Sequence, residues 1–411
     1  MKILSIALGF MFIQQSFVTI GKVLPAVIAP PILLELKIDP SWLGVYVGII
    51  AAVSLAVQAG CGSVIVKYGA LRISQVTLLV TGLGLLLAIP GLIILMALSA
   101  IAIGISASST PASSHLLGKY APAKYAPLIF SIKQTAVPVG LLTAGLVGPI
   151  LTDLYGWRSA LMSVVGVCVL FAIVLELMRD EFDNDRDSTR KFQLSDFKGT
   201  IGLVLRQGEL RSLALGCFAF VGLQTTFIAY FVIYLTELGF SLIEAGTVFS
   251  LATAVAIPGR ILWGWISSSY INPRVMLGFL AIFMFITVSL TGMFSANWAS
   301  WVIVVVSISV SATVFSWHGV TLAEAARLAP SSMRGAVTGG VLSFGQFGGL
   351  ILPLIYSLCL SITGSYQLGF FVCAAPALAV GVLLLQSTLK YKALSLIHIS
   401  EPTRQEAISY A

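Results

Sequence analysis

Apolar residues in this chain come in long unbroken runs separated by short polar stretches. Twelve runs reach or approach the ~20 residues that a helix needs to cross the hydrocarbon core of a bilayer. They lie at 4–33, 42–66, 72–90, 91–117, 127–153, 157–178, 211–238, 242–267, 273–294, 297–327, 334–362 and 365–389. Only Pro90-Gly91 divides the third from the fourth. The pattern predicts an all-α membrane protein with twelve transmembrane helices. The first run follows Lys2 as a secretory signal would, but it exceeds signal length, lacks a small-residue cleavage site and precedes eleven more runs. It reads as a retained helix.

Composition agrees. Of 411 residues, 58% are hydrophobic and 9% charged, too few charges to cover a soluble domain. All but four of the 23 Lys and Arg (Lys22, Lys37, Lys133 and Arg158) fall at ends and loops on one side of the twelve spans. That bias places both termini in the cytoplasm. It also explains the net charge of +7 without a nucleic-acid partner. The five cysteines sit in apolar runs with no paired spacing, which suits packing rather than disulfides or a metal site.

One long polar stretch, 179–210, divides the chain into six-span halves, 1–178 and 211–393. Its mixed-charge opening, Arg179 to Asp187, reads as a solvated linker rather than an ion site, lacking the glycine and terminal glutamate of an EF-hand. Its second part, Phe192 to Leu205, suits a short helix on the membrane surface. The halves repeat: Tyr120-Ala121-Pro122, Gly140 and Gly156-Trp157-Arg158 match Leu328-Ala329-Pro330, Gly348 and Gly364-Ser365-Tyr366 at one offset, and Arg72 pairs with Arg274 at a slightly shorter one. Residues 394–411, opening Leu394-Ser395-Leu396-Ile397-His398, read as a translated sequencing adaptor, so the native end is expected near Ala393.

The loop after the second run, Gly62 to Arg72, resembles the G-x-x-x-D-[RK]-x-G-[RK] gating motif of the major facilitator superfamily, with Val66 in place of the acid and Ala70 of a basic residue. Gly259-Arg260-Ile261-Leu262-Trp263-Gly264 resembles its counterpart in the second half, with Ser268 where an aspartate is common. Gly156-Trp157-Arg158 is similar to the family's turn between spans five and six. Ser131-Ile132-Lys133-Gln134-Thr135 and Trp317-His318-Gly319 resemble a prokaryotic branch near the cyanate and nitroimidazole permeases. The resemblance implies two rocking halves around a cavity lined by spans one, four, seven and ten, with five and eleven beside it, in a monomer of the bacterial inner membrane. It implies gating roles for Lys67, Gly69, Arg72 and Arg260. Drug–proton antiport loses two supports, because Ala144 interrupts the G-x-x-x-G-P of span five and Ala100 replaces an expected arginine.

The candidate chemistry is cationic. A charge at membrane depth is costly and marks a site unless it escapes to the interface. Lys133 lies in the inner third of span five beside Gln134 and below Pro138, which frees a backbone carbonyl. Its side chain either reaches a wet cavity or snorkels to the interface. Lys22 shares a helical face with Gln15 and Thr19 and faces the same choice at the other interface. Span four carries Ser99, Ser106, Thr110 and Ser113 as a stripe suited first to packing. Gln224, Gln346, Trp317 and His318 are further candidates: the Trp317-His318 pair could wall a planar ligand or fill a helix interface, and His318 could serve a coupling proton. Glu324 and Arg327 suit an intracellular gate pair. All sixteen acids lie at span ends, loops or tails, leaving none to neutralise Lys22 or Lys133. Cations without acids favour an anion. The expectation is a secondary transporter of a small organic anion, planar ones included. The alternatives are proton-coupled efflux of neutral or cationic compounds, or a non-transporting sensor. No enzyme, metal or cofactor motif is present, and the expected partners are a small-molecule substrate, a coupling proton or other ion, and the lipid bilayer.

Overall fold

A backbone amide in a bilayer has no water to bond, so each apolar run closes its hydrogen bonds within a helix. A computed structural model describes residues 2–122, 125–189, 195–329 and 334–400, with side chains at all of these except 126–128, 195–200, 326, 334–336 and 387–400. Among the expectations above, those on Lys124, Arg190, Lys191, Phe192, Pro330 and 401–411 lie outside the described residues.

Twelve helices are long and apolar enough to span a membrane: Lys2–Val27, Trp42–Tyr68, Ala70–Ala88, Ile93–Tyr120, Ile129–Tyr155, Trp157–Glu176, Gly208–Glu237, Leu242–Ser269, Pro273–Thr291, Ser300–Ala325, Val337–Thr363 and Tyr366–Gln386. They are called spans one to twelve. The first apolar run proves to hold two helices, because Pro30 and Pro31 open a second, Ala29–Leu36.

Three spans are interrupted. Span four runs as Ile93–Ile105, a 3₁₀ turn at Ser106–Ser108 and then Ser109–Tyr120. Pro111 cannot donate to the Ala107 carbonyl, and the Ser106 and Ser108 hydroxyls turn back to Ile103 O and Ile105 O. Span five breaks at Thr135, between Ala126–Gln134 and Ala136–Tyr155, where Pro138 leaves the Gln134 carbonyl without its helical donor. Span ten breaks between Ser300–Val314 and His318–Leu328 without any proline. There, side chains take the carbonyls: Trp263 Nε1 donates to Ala312 O, Trp317 Nε1 to Val314 O and Arg260 Nε to Phe315 O, at 2.6, 2.9 and 2.9 Å. Spans four and ten thus break at matching places in the repeat.

Within the first six spans, three packs on six and four, and one on five; within the last six, seven packs on eleven, nine on twelve and eight on ten. Repeat-related glycines allow the equivalent one–five and seven–eleven approaches. A Cβ at Gly140 would meet the Ser16 carbonyl at 2.8 Å, and one at Gly348 the Phe218 carbonyl at 1.8 Å. The two sets meet through spans two and eleven, five and eight, and one and seven. At the end away from the termini, the Ser41 carbonyl accepts from Tyr230 OH at 3.2 Å and Ser357 Oγ at 2.6 Å.

The polar stretch after span six is not a free linker at its start. Phe182 is fully buried against Tyr120. Asp183 accepts from the Leu71 and Arg72 amides at 2.7 and 2.9 Å, capping span three. Burial raises the Asp183 carboxyl above the ordinary aspartate range, and the two amides pull it down. Lys119 bonds Asn184 and Asp185, and the Asp187 amide donates to Val66 O. The later helix, Ser195–Arg206, packs instead on spans seven and eleven.

Candidate functional site

The break in span five ties a cation of span eight to the residue after Lys133. Pro138 leaves Gln134 O free, and Arg260 of span eight reaches across to it, donating from Nη1 at 2.8 Å. The same guanidinium donates from Nε to Phe315 O at the break in span ten. Arg260 therefore closes two helix C-terminal ends at once, one in each half, where carbonyl dipoles favour a cation. Its Nη2 is buried without a partner among the described residues. The motif placed Arg260 near a loop gate; the structure places it within span eight, nine residues before the helix ends at Ser269. The proline was the signal for one of its acceptors. Nothing in the sequence announced the break in span ten that supplies the other.

Lys133 is the residue before Gln134 and is fully buried. It does not snorkel. Its Nζ makes one hydrogen bond, 3.4 Å to Gln15 Oε1, and no carboxylate among the described residues pairs with it. Gln15 Oε1 also accepts from Ser109 Oγ and Thr110 Oγ1, both at 3.1 Å. The small-residue stripe of span four is thus partly a polar frame; Ser109, which the stripe did not include, is part of it. Gln14, also unremarked in the sequence, accepts from Ser109 at 3.1 Å and donates to Thr77 Oγ1 at 2.8 Å. Thr19 bonds its own helix at Gln15 O and is buried against Gly140.

The other candidates divide. Lys22 is exposed and has no hydrogen-bond partner among the described residues. Gln134 and Gln346 are half-buried. Gln224 Oε1 and His318 Nδ1 are buried atoms without partners among the described residues. His318 stacks on Trp317 at 3.8 Å, and Trp317 is itself fully buried against Phe220, so that indole packs rather than offering a face.

The expected gate residues lie at the terminal end of the bundle, Arg260 excepted. Lys67 is exposed over the Tyr68 ring. Gly69 has φ +97°, and a Cβ there would meet the Asp183 carboxylate at 2.2 Å. Arg72 reaches Glu176 at 3.3 Å. Arg327 binds Glu324 through two 2.7 Å contacts, with the glutamate almost fully buried. Among the described residues no group of three or more His, Cys, Asp or Glu could hold a metal ion.

Twelve helices with repeat-related breaks, enclosing charges that no carboxylate among the described residues neutralises, describe a membrane carrier of solutes. The chain belongs to the Major Facilitator Superfamily, whose model matches residues 10–325. The nitrite extrusion protein of Bacillus subtilis (strain 168) is 24% identical over 288 residues, 62% of this chain and 67% of that protein. A bacterial homologue of the human lysosomal transporter Spinster, inward-facing and occupied, superposes with a TM-score of 0.70 at 17% identity, covering 94% of this chain and 97% of that one. The nucleoside transporter NupG, as a mutant, superposes with a TM-score of 0.73 at 12% identity, covering 93% and 99%. These two likenesses establish the fold. The protein is a multi-pass transporter and not an enzyme.

Proposed function

We propose that the protein carries a small anion across the bacterial inner membrane by alternating access, as a monomer with both termini cytoplasmic. Residues 1–178 and 211–393 are the rocking halves, joined by 179–210. Two buried cations on neighbouring stretches, Lys133 on Gln15 and Arg260 on the carbonyl of Gln134, with no carboxylate pairing with either among the described residues, carry this reading. Two buried cations without a counter-ion are costly. An anion bound between the halves offsets that cost, with the Gln15 amide as donor, the enclosed Lys133 and Arg260 behind it, and Lys22, Gln134, Gln224, Gln346 and His318 around the path. The relative named for nitrite extrusion supports a small anion and makes nitrite the first probe. Lys67, Gly69, Arg72, Glu324 and Arg327 serve the gate at the terminal end. Thermal unfolding of the purified protein tests the reading, since a ligand of the folded state raises its stability with occupancy. Nitrite, formate or acetate should stabilise the wild type and stabilise Lys133→Ala at least ten-fold less potently. Stabilisation by organic cations alone would instead support proton-coupled efflux.

A further inference from the structure

We infer that Gln15 sets substrate charge selectivity, through an amide whose orientation Thr110, Ser109 and Lys133 fix; the inference rests on the anion reading above. An amide can present either its oxygen or its NH₂ to a ligand, and which one is set by its neighbours. Around Gln15 the neighbours are all donors to one terminal atom: Ser109 Oγ and Thr110 Oγ1 at 3.1 Å and Lys133 Nζ at 3.4 Å. An ammonium has no lone pair, so that atom is the oxygen. Ser109 also has Gln14 Oε1 at 3.1 Å and shares its one hydrogen between the two amides, but the lysine contact alone fixes the assignment.

The consequence is at the other terminal atom. Gln15 is 5% exposed, and among the described residues its Nε2 makes no hydrogen bond and is not one of the sealed, unpartnered atoms. The surface this residue keeps includes its amide nitrogen. Lys133 itself is fully enclosed, so its charge reaches a solute only through space and through the amide it polarises. A hydrogen bond from a cation to the oxygen strengthens the N–H as a donor. Gln15 thus shows an arriving solute a donor alone. An anion satisfies it. A cation or a pure donor would leave it unpaired, and unpaired buried groups are how sites reject a ligand.

Gln14 marks the contrast. The neighbouring amide on the same helix has both ends occupied, its oxygen by Ser109 and its nitrogen by Thr77 Oγ1 and the Ser74 carbonyl. It holds span one to spans three and four and offers nothing to a solute.

The test is nitrite uptake by liposomes containing the full chain, with Gln15→Glu as the first variant. Glutamate keeps an oxygen for Thr110 and Lys133 and replaces the free NH₂ with a second acceptor. Nitrite kcat/KM should fall at least ten-fold in Gln15→Glu. Thr110→Val, which leaves the amide less constrained, should raise KM several-fold with little change in kcat, and Thr110→Ser should restore it. Wild-type nitrite kinetics in Gln15→Glu would overturn the role of Gln15 while leaving the anion reading intact. If Gln15→Glu does not fold, an unchanged nitrite KM in Thr110→Val would overturn it equally. A wild type that moves none of nitrite, formate and acetate would overturn both.

Discussion

Lys133 has the reach to snorkel and turns inward instead, because Gln15, held by the hydroxyls of span four, offers an acceptor that lipid does not. Residue by residue, the polar groups here are arranged by such local offers. On the opposite end of the bundle Glu35 accepts from Trp157 Nε1 at 2.7 Å and Arg158 Nη1 at 2.6 Å, tying the helix after span one to the turn before span six. The Trp157 bond first, and Arg158 second, hold the Glu35 carboxyl below its ordinary range. A depressed carboxyl stabilises the fold above its unfolded pKa and loses that contribution as pH falls through the folded one. The thermal stability of the wild type should therefore fall as pH drops below about 4.5, whereas Glu35→Gln should start lower and respond less. A Glu35→Gln variant with the wild-type acid response would show the clasp to be inert. At this scale the sequence was readable for the cations and blind to their partners. Lys133 stood out because charge in an apolar run is rare. Arg260 was assigned to a gate by its motif, since a side chain's direction across a helix interface is not written in spacing.

Among the elements, span three begins in an unusual way. Its repeat partner, span nine, is capped by its own loop: Asn272 Oδ1 accepts the Arg274 amide at 2.9 Å. Span three has Gly69 and Ala70 at that point, and Asp183 supplies the cap from beyond span six. The glycine is required twice over, by its positive φ and by the carboxylate occupying the place of a side chain. Asp183→Ala should cost about 1–2 kcal/mol, read as a lower unfolding midpoint in denaturant. It should also expose 182–187 to protease, whereas Asp187→Ala should lower the midpoint less, since Asp187 bonds Val66 through its backbone amide and its exposed carboxylate accepts from the neighbouring Thr189. An Asp183→Ala protein as stable as wild type would remove the cap from the account. The twelve spans were legible because a membrane demands a length of apolar chain that nothing else in a sequence imitates. The break in span five was legible too, through Pro138. The cap was not, because Asp183 lies more than a hundred residues from the amides it bonds and sits in a charge-rich run that resembles any linker.

For the whole molecule, the end away from the termini is held by contacts between the halves. Ser250 Oγ of span eight bonds Leu142 O of span five at 2.9 Å. Ser41 O takes both Tyr230 OH and Ser357 Oγ, and the Tyr230 ring stacks on Tyr356 at 3.9 Å. Alternating access requires these to part. Removing one neutral hydrogen bond is worth about 1 kcal/mol, roughly a five-fold shift between two states of similar energy. In a Thr225→Cys background, Ser357→Ala should raise labelling by an impermeant maleimide added on the side away from the termini by a few fold. Unchanged labelling would mean that the contact does not hold the halves. Cys61, Cys168, Cys217 and Cys373 are buried, and the half-buried Cys359 is replaced by serine in that background. The acceptor in this contact is main chain, and that has a consequence for descent. A carbonyl is supplied by every residue, so substitution at position 41 leaves the acceptor in place, and only the two donors are under selection. Related transporters that close in the same manner should keep a hydroxyl at the positions of Tyr230 and Ser357 while the residue opposite them drifts.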